Sequence, residues 1–390
     1  MIRTHNIATA IAAAVLMVGA TASVRAGAPS SSHNGAPAVV TPAANPPAVS
    51  PPAASLPAAS LPAASPPAVD PKTPNPQPTA VPKPARDTLL LSAKGRAARQ
   101  AAISKVKVWA MQLQKFDVAT AKATNADMLV TDATTASITG QPFTASDVAA
   151  LKVKPDGSKR LLISYLSIGE AEDYRPDYFT SEYMEEDAPD WLLSENKVWK
   201  GNRIIRFCNE GWQQTILGDE QGMSVYNSVE SSPLYKLIEL GFDGVYLDRV
   251  DVYAEVQKDC PDAANKMVAF VERLAAHARK RNPNFIVIQQ NAEELLQHKR
   301  MIDAIDAVAK EDLFYGADHS QNANPRSMVD STLADLAYAK AAGRPVFILD
   351  YLNDPERRRI DRAKIEAQGF VPYIGPRPLD QLWLPGADGS

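Results

Sequence analysis

The chain has 390 residues, of which 41 are basic and 45 acidic, for a net charge of −4, and it carries 31 prolines against two cysteines. Seventeen of those prolines fall between Gly27 and Arg86, where no apolar core can be built. Beyond residue 86 the balance is 36 basic to 44 acidic residues, a net charge near −8. That excludes non-specific binding to nucleic acid or anionic lipid, and fits a neutral sugar or a cationic partner.

At the N-terminus Arg3 and His5 precede an uncharged run from Ile7 to Val24 that ends in Val24-Arg25-Ala26. This is the layout of a cleaved secretory signal peptide, residues 1–26, and it predicts export to a periplasmic or extracellular space. An uncleaved membrane anchor is the competing reading, since the run approaches the ~18 residues that span a bilayer. Residues 27–86 repeat a pentad, PAASL at Pro52 and Pro57 and PAASP at Pro62, which predicts a disordered, extended Pro/Ala/Ser-rich linker. It serves either as a stalk or as a tail without a partner. Residues 87–390 form one expected domain, somewhat longer than the ~250 residues typical of a (β/α)8 barrel.

After a basic amphipathic lead-in, Asp87 to Lys105, short apolar runs alternate with helical periods. The predicted strands are Val106–Leu113, Met128–Asp132, Arg160–Ile168, Arg203–Phe207, Gly244–Asp248, Phe285–Gln289, Ala304–Lys310 and Pro345–Leu349. Among the helices, Ser232 as N-cap, Pro233 at the first position and Gly241 at the stop delimit one. Asp262 to Arg281 is another, with Met267, Phe270, Val271, Leu274 and Ala278 on one face, and Ser331 to Ala342 a third. Apolar strands separated by helices imply a parallel sheet covered on both faces. Eight such units, with no Gly-rich dinucleotide loop after the first strand, favour a closed α/β (β/α)8 TIM barrel over an open doubly wound sheet. Gly369–Pro376 is a surplus apolar run, either a ninth strand or a closing loop.

A barrel of this kind presents its chemistry at strand C-termini. The predicted strand ends there are polar: Trp109, Gln112 and Gln114; Asp132; Tyr165 with Glu170 and Glu172; Cys208, Asn209 and Trp212; Asp248, Arg249 and Asp251; Gln290, Asn291 and Glu293; Lys310, Glu311 and Asp312; Asp350, Tyr351 and Asn353. Several carboxylates around one mouth with aromatic surfaces suit hydrolysis of a glycosidic bond, which needs an acid for the leaving oxygen and a second carboxylate as nucleophile or base. Any single acid after a strand is as well explained as a helix cap. Asp248 and Glu311 stand out because Asp248 directly follows three apolar residues and Glu311 follows Ala307-Val308-Ala309-Lys310 in the same way, so each points from a strand tip; Glu170 and Glu172 follow a glycine turn, which leaves their direction open. The five histidines show no ligand spacing, so neither a metal nor another cofactor is expected. Cys208 and Cys260 are expected as two unbridged thiols, although an exported chain can join them.

With these pieces in view, the chain resembles the TIM-barrel glycoside hydrolases that include the endo-α-1,4-polygalactosaminidases, in particular a bacterial and archaeal branch of mostly uncharacterised extracellular proteins. The resemblance runs from Val106 to Asp380. It rests on Trp109 with Gln112, YLSIGEAEDYR at Tyr165 to Arg175, GFDGVYLDRVD at Gly241 to Asp251, QNAEEL at Gln290 to Leu295, Glu311 with Leu313-Phe314-Tyr315, and GFVPYIGPRPLD at Gly369 to Asp380. It implies that Asp248, closing the fifth strand, is the nucleophile and that Glu311, closing the seventh, is the acid/base. It also implies a partly deacetylated α-1,4-linked galactosamine polymer as substrate, which an acidic domain suits. The branch differs in carrying YLSIGEAEDYR and a charged Arg249 beside the nucleophile.

The leading expectation is a secreted, retaining, endo-acting glycosidase on an amino-sugar or related polysaccharide. Trp109, Asp132, Tyr165, Glu170, Glu172, Arg249, Asp251, Gln290, Asn291, Asp350 and Tyr351 are its candidate sugar contacts. A non-catalytic carbohydrate-binding barrel and a metal-dependent polysaccharide deacetylase are the alternatives; two retained acids count against the first, and the missing histidine cluster against the second.

Overall fold

The computed structural model describes residues 86–134, 140–172, 188–197, 199–219, 221–223 and 231–384. The expected signal peptide and linker lie outside the described residues. No helix among the described residues is long and apolar enough to cross a membrane.

The basic lead-in forms helix α1 (Arg86–Ile103), followed by β1 (Trp109–Gln112), α2 (Val118–Ala123), β2 (Met128–Thr131), α3 (Ala145–Leu151) and β3 (Leu161–Ser167). Three short strands come next, β4 (Glu170–Glu172), β5 (Leu192–Glu195) and β6 (Asn202–Ile205), then helices α4 (Glu210–Leu217) and α5 (Pro233–Leu240). The chain continues through β7 (Gly244–Asp248), α6 (Ala263–Arg281), β8 (Ile286–Gln290), α7 (Lys299–Ala304), β9 (Ala307–Glu311), α8 (Arg326–Ala341), β10 (Val346–Tyr351), α9 (Pro355–Ala367) and β11 (Val371–Gly375).

Eight strands form one parallel sheet in the order β1-β2-β3-β7-β8-β9-β10-β11. Its two edges, β1 and β11, meet. The Trp109 indole donates to the Val371 carbonyl at 3.0 Å, and the amides of Leu113 and Gln114 both donate to the Leu379 carbonyl. The result is the expected TIM barrel, with one revision of its membership. The predicted fourth strand, Arg203–Phe207, is not a barrel strand: as β6 it pairs antiparallel with β4 and β5 in a separate three-stranded sheet. Its partly exposed Asn202 and Arg203 could not be wrapped by helices on one side and core on the other. The surplus run supplies the eighth barrel strand as β11, whose residues from Pro372 to Gly375 are buried. Asp248 therefore closes the fourth barrel strand, not the fifth, and Glu311 the sixth, not the seventh.

Local signals placed the helices well. In α5, Ser232 accepts a hydrogen bond from the Tyr235 amide, Pro233 occupies the first turn, and Gly241 ends the helix. In α6, Met267, Phe270, Val271, Leu274 and Ala278 are buried as one stripe. Helix α8 begins earlier than expected, directly after Pro325. Strands β8, β9 and β10 run on to Gln290, Glu311 and Tyr351, so these polar residues are strand residues rather than loop residues.

The barrel interior is packed, not open. Trp109 lies at its centre, with ring centroids 5.5 Å from Phe347, 5.6 Å from Tyr373 and 6.5 Å from Tyr246. At the opposite end from the strand C-termini, Asp306 is buried and takes Arg99 at 2.9 Å and Arg279 at 2.7 Å, fastening α1 and α6 to the foot of β9. The expectation of two unbridged thiols is corrected: Cys208 and Cys260 form a disulfide with Cα atoms 6.0 Å apart, joining the segment after β6 to the segment after β7.

Candidate active site

Side chains along a strand alternate between the two faces of a sheet, so every second residue of a barrel strand points inward. Tyr246 and Asp248 share one face of β7, and Tyr246 pairs in register with Ile288 on β8. Gln290 pairs with Ala309 on β9, and Glu311 pairs with Leu349 on β10. Counting by twos brings Asp248, Gln290, Glu311 and Tyr351 to one inward ring. Because all these strands are parallel and each residue ends its strand, the four lie at the same mouth. Asp248 and Glu311 are separated by the single strand β8, roughly 9 to 10 Å between strand axes at the usual spacing.

Each carboxyl has its own donors. Tyr165 Oη donates to Asp248 Oδ2 at 2.6 Å, and the Arg249 amide donates to Asp248 Oδ1 at 2.8 Å. Glu311 receives Gln290 Nε2 at one carboxyl oxygen and Tyr351 Oη at the other. The backbone around Glu311 is fixed too, since its amide donates to Asn291 Oδ1 at 3.1 Å and Lys310 Nζ reaches the same oxygen at 3.3 Å. Lys310 is balanced by Glu293 at 3.4 Å.

Burial raises both acids. Asp248 is pushed up to about 7, first by desolvation and then by the charge of Glu311, against the Tyr165 hydrogen bond. Glu311 is also raised by burial, with the Tyr351 hydrogen bond opposing. A pair of this kind holds a proton near neutrality that neither would hold in water.

The remaining expected site residues separate into groups. Glu172 is buried, with Oε1 3.4 Å from Tyr165 Oη, one step from Asp248. Asp132 is buried at the tip of β2, where it accepts the Ala133 amide at 2.8 Å. Glu170 is buried and engaged by Asn196 at 2.6 Å, Asn202 at 2.9 Å and Arg249 at 3.0 Å. Arg249, in the left-handed region at φ 60°, also pairs with Glu255 at 2.6 Å and Asp251 at 3.4 Å. Glu170, Arg249 and Asp251 thus lock the three-stranded sheet onto the turn behind Asp248. Gly169 permits that close approach, because a Cβ there would sit 2.1 Å from the Arg249 carbonyl.

Two candidates are not brought to the mouth surface. Trp109 is only 1 % exposed within the barrel core. Asp350 alternates outward from Tyr351, accepts the amides of Leu313 at 2.7 Å and Phe314 at 3.2 Å, and lies against Asp361 of α9. Asp361 is pushed up to about 9 by burial and by Asp350. Tyr174 and Arg175 lie outside the described residues. Sequence reasoning missed Tyr246, whose buried hydroxyl has no hydrogen-bond partner among the described residues. Its position two residues before Asp248 was the available signal. The anchoring roles of Asn196 and Asn202 had no such signal, since they depend on the pairing of β4 with β6.

A parallel barrel with two half-buried, separately hydrogen-bonded carboxyls at the C-terminal mouth is the architecture of a TIM-barrel glycosidase. The chain belongs to glycoside-hydrolase family GH114, which residues 92–385 match. It is 33 % identical over 291 residues to an uncharacterized protein of Deinococcus radiodurans, covering 73 % of this chain and 85 % of the relative. An uncharacterized protein of Methanocaldococcus jannaschii is 30 % identical over 296 residues, covering 71 % and 79 %. Among solved structures, the glycoside hydrolase domain of PelA from Pseudomonas aeruginosa superposes with a TM-score of 0.53 at 19 % identity, covering 71 % of this chain and 97 % of that domain. That likeness is one of fold.

Proposed function

We propose that this glycoside hydrolase is an exported, endo-acting, retaining enzyme that cleaves an α-linked galactosamine-type polysaccharide, with Asp248 as nucleophile and Glu311 as acid/base. The observation that carries the reading is the pair of half-buried carboxyls at one barrel mouth, each with dedicated hydrogen-bond donors and each raised in pKa. Asp248 attacks the anomeric carbon while Glu311 gives its proton to the departing glycosidic oxygen, forming a glycosyl-enzyme ester. Glu311 then takes a proton from water, whose oxygen attacks the anomeric carbon and releases Asp248.

A cationic amino sugar suits this mouth. An ammonium group near Asp248 and Glu172 favours ionised Asp248, the state a nucleophile needs, while the proton stays with Glu311. The resemblance to endo-α-1,4-polygalactosaminidases supports the same substrate. The Cys208–Cys260 disulfide suits an oxidising compartment and supports export. Asp132, Tyr165, Glu172 and Gln290 are the proposed sugar contacts, with Tyr351 beside Glu311. The experiment is incubation with a panel of amino-sugar polysaccharides, followed by product sizing and determination of the anomeric configuration. Release of short α-configured oligosaccharides from partly deacetylated α-1,4-galactosamine polymer is expected, and no cleavage of any amino-sugar polymer would remove the substrate assignment.

One observation favours an exchange of roles: the free-state pKa of about 7 makes Asp248 a proton holder at neutral pH. Azide rescue separates the two assignments. With Asp248 as nucleophile, azide restores turnover of an activated α-glycoside to D248G and gives a β-glycosyl azide. With roles exchanged, E311G gives that product instead.

A further inference from the structure

The segment that follows β11 reaches the acid/base from behind. Arg377 stacks over the Tyr351 ring, its guanidinium carbon 4.2 Å from the centroid. The same guanidinium grips Asp312 through two contacts of 2.7 and 3.2 Å and reaches the Gly316 carbonyl at 3.3 Å. Tyr351 is the phenol that donates to Glu311, and Asp312 is the next residue after Glu311, held in the left-handed region at φ 52°. Gly316 leaves room for the grip, because a Cβ there would lie 2.6 Å from Asp312 Oδ1 and 2.7 Å from Arg377 Nη2.

One cation therefore controls both sides of Glu311. It covers the face of the ring whose hydroxyl sets the carboxyl's direction, and it pins the turn that ends the carboxyl's own strand. A guanidinium can do both at once because it is planar: its face lies on the ring while its edge bridges two carboxylate oxygens.

We propose that Arg377 is a positioning residue for Glu311, acting through Tyr351 and Asp312 to hold the acid/base in its working direction. This rests on Glu311 being the acid/base. The charged or titratable groups that face Glu311 are Asp248 and Tyr246 from β7, Lys310 on its own strand and Asp312 in the turn after it, Tyr351 from β10, and Arg377, with the neutral Gln290 from β8. Removing the cation leaves the acid form of Glu311 favoured to a higher pH.

The test compares R377M, R377K, Y351F, the double variant R377M/Y351F and E311Q in the full chain, on partly deacetylated α-1,4-galactosamine polymer with reducing ends as the readout. R377M is expected to lower kcat about tenfold with KM within about twofold, and to move the alkaline limb of the pH profile upward. The double variant is expected to lose less than the product of the two single losses, since Arg377 acts in part through the phenol. R377K, which keeps the charge but cannot both stack and bridge, is expected to lose several-fold in kcat with the alkaline limb in place. Should R377M not fold, R377K carries the test, and wild-type kcat there overturns the proposal. So does an R377M defect confined to melting temperature or to KM, or a double variant whose losses multiply. An inactive E311Q beside an unimpaired R377M removes the role of Arg377 alone, whereas a fully active E311Q removes the assignment of Glu311 on which it rests.

Discussion

Tyr165 Oη donates to Asp248 Oδ2 at 2.6 Å, so the phenol of the third barrel strand aims the carboxyl of the fourth. The bond favours the ionised form of Asp248. Y165F removes it without changing shape, so the Asp248 pKa rises and the acid limb of the pH profile shifts upward. We expect kcat to fall about tenfold with a smaller change in KM. Steady-state kinetics across pH check this; an unmoved acid limb counts against Asp248 as the group that must ionise.

Asp248 also makes stability depend on pH. Its folded-state pKa of about 7 exceeds that of an aspartate in the unfolded chain, so folding favours the protonated carboxyl. The sign follows: the Asp248 contribution is fully present below the unfolded value of ~3.9 and is lost as pH rises through the folded value. D248N carries no such charge. Its melting temperature is expected to exceed that of the wild type at pH 8, and the difference to shrink towards pH 4. Calorimetry at the two pH values measures it, and equal gains at both would contradict burial of the charge.

Glu170 and Arg249 are 2 % and 19 % exposed at their side chains and meet at 3.0 Å. R249M leaves the Glu170 carboxylate buried without Arg249, retaining Asn196 and Asn202 among the described residues. The expected cost is about 3 kcal/mol of stability. Denaturant unfolding reads it directly. If R249M instead unfolds like the wild type and only KM rises, Arg249 contacts the sugar and does not organise the mouth.

The Cys208–Cys260 bridge spans 52 residues of sequence that contain α4, α5 and β7. Removing it as C208S/C260S should cost about 2 to 4 kcal/mol. The corresponding drop in melting temperature, matched by reductant on the wild type and absent for the variant in reductant, is the outcome to look for. No effect of reductant would show that the thiols are unbridged in solution.

Much of the fold was legible because strand ends and helix caps are local signals. The Ser232–Pro233–Gly241 frame marked α5, and the approach of apolar residues to Asp248 and Glu311 marked both acids. Barrel membership was less legible. The Arg203–Phe207 and Gly369–Pro376 runs both contain strand-forming apolar residues; the two arginines of the first were the available warning, and pairing separates the runs, since β6 finds β4 whereas β11 finds β10 and meets β1. Facing direction was lost in the same way at Asp350, where extending β10 by two residues turns that carboxylate outward and Tyr351 inward. Trp109 read as a sugar platform because an aromatic at a mouth and an aromatic in a barrel core share one sequence signal. The Glu170–Arg249 pairing and the Arg377 stack join residues 79 and 26 positions from their partners, and no local pattern encodes them.

The central claim is that Asp248 and Glu311 act together on one glycosidic bond. The most direct measurement is turnover of partly deacetylated α-1,4-galactosamine polymer by D248N and by E311Q, each first checked for wild-type circular dichroism. Both are expected to fall by at least ~100-fold. A folded variant of either residue that cleaves within a few-fold of the wild type would contradict the account.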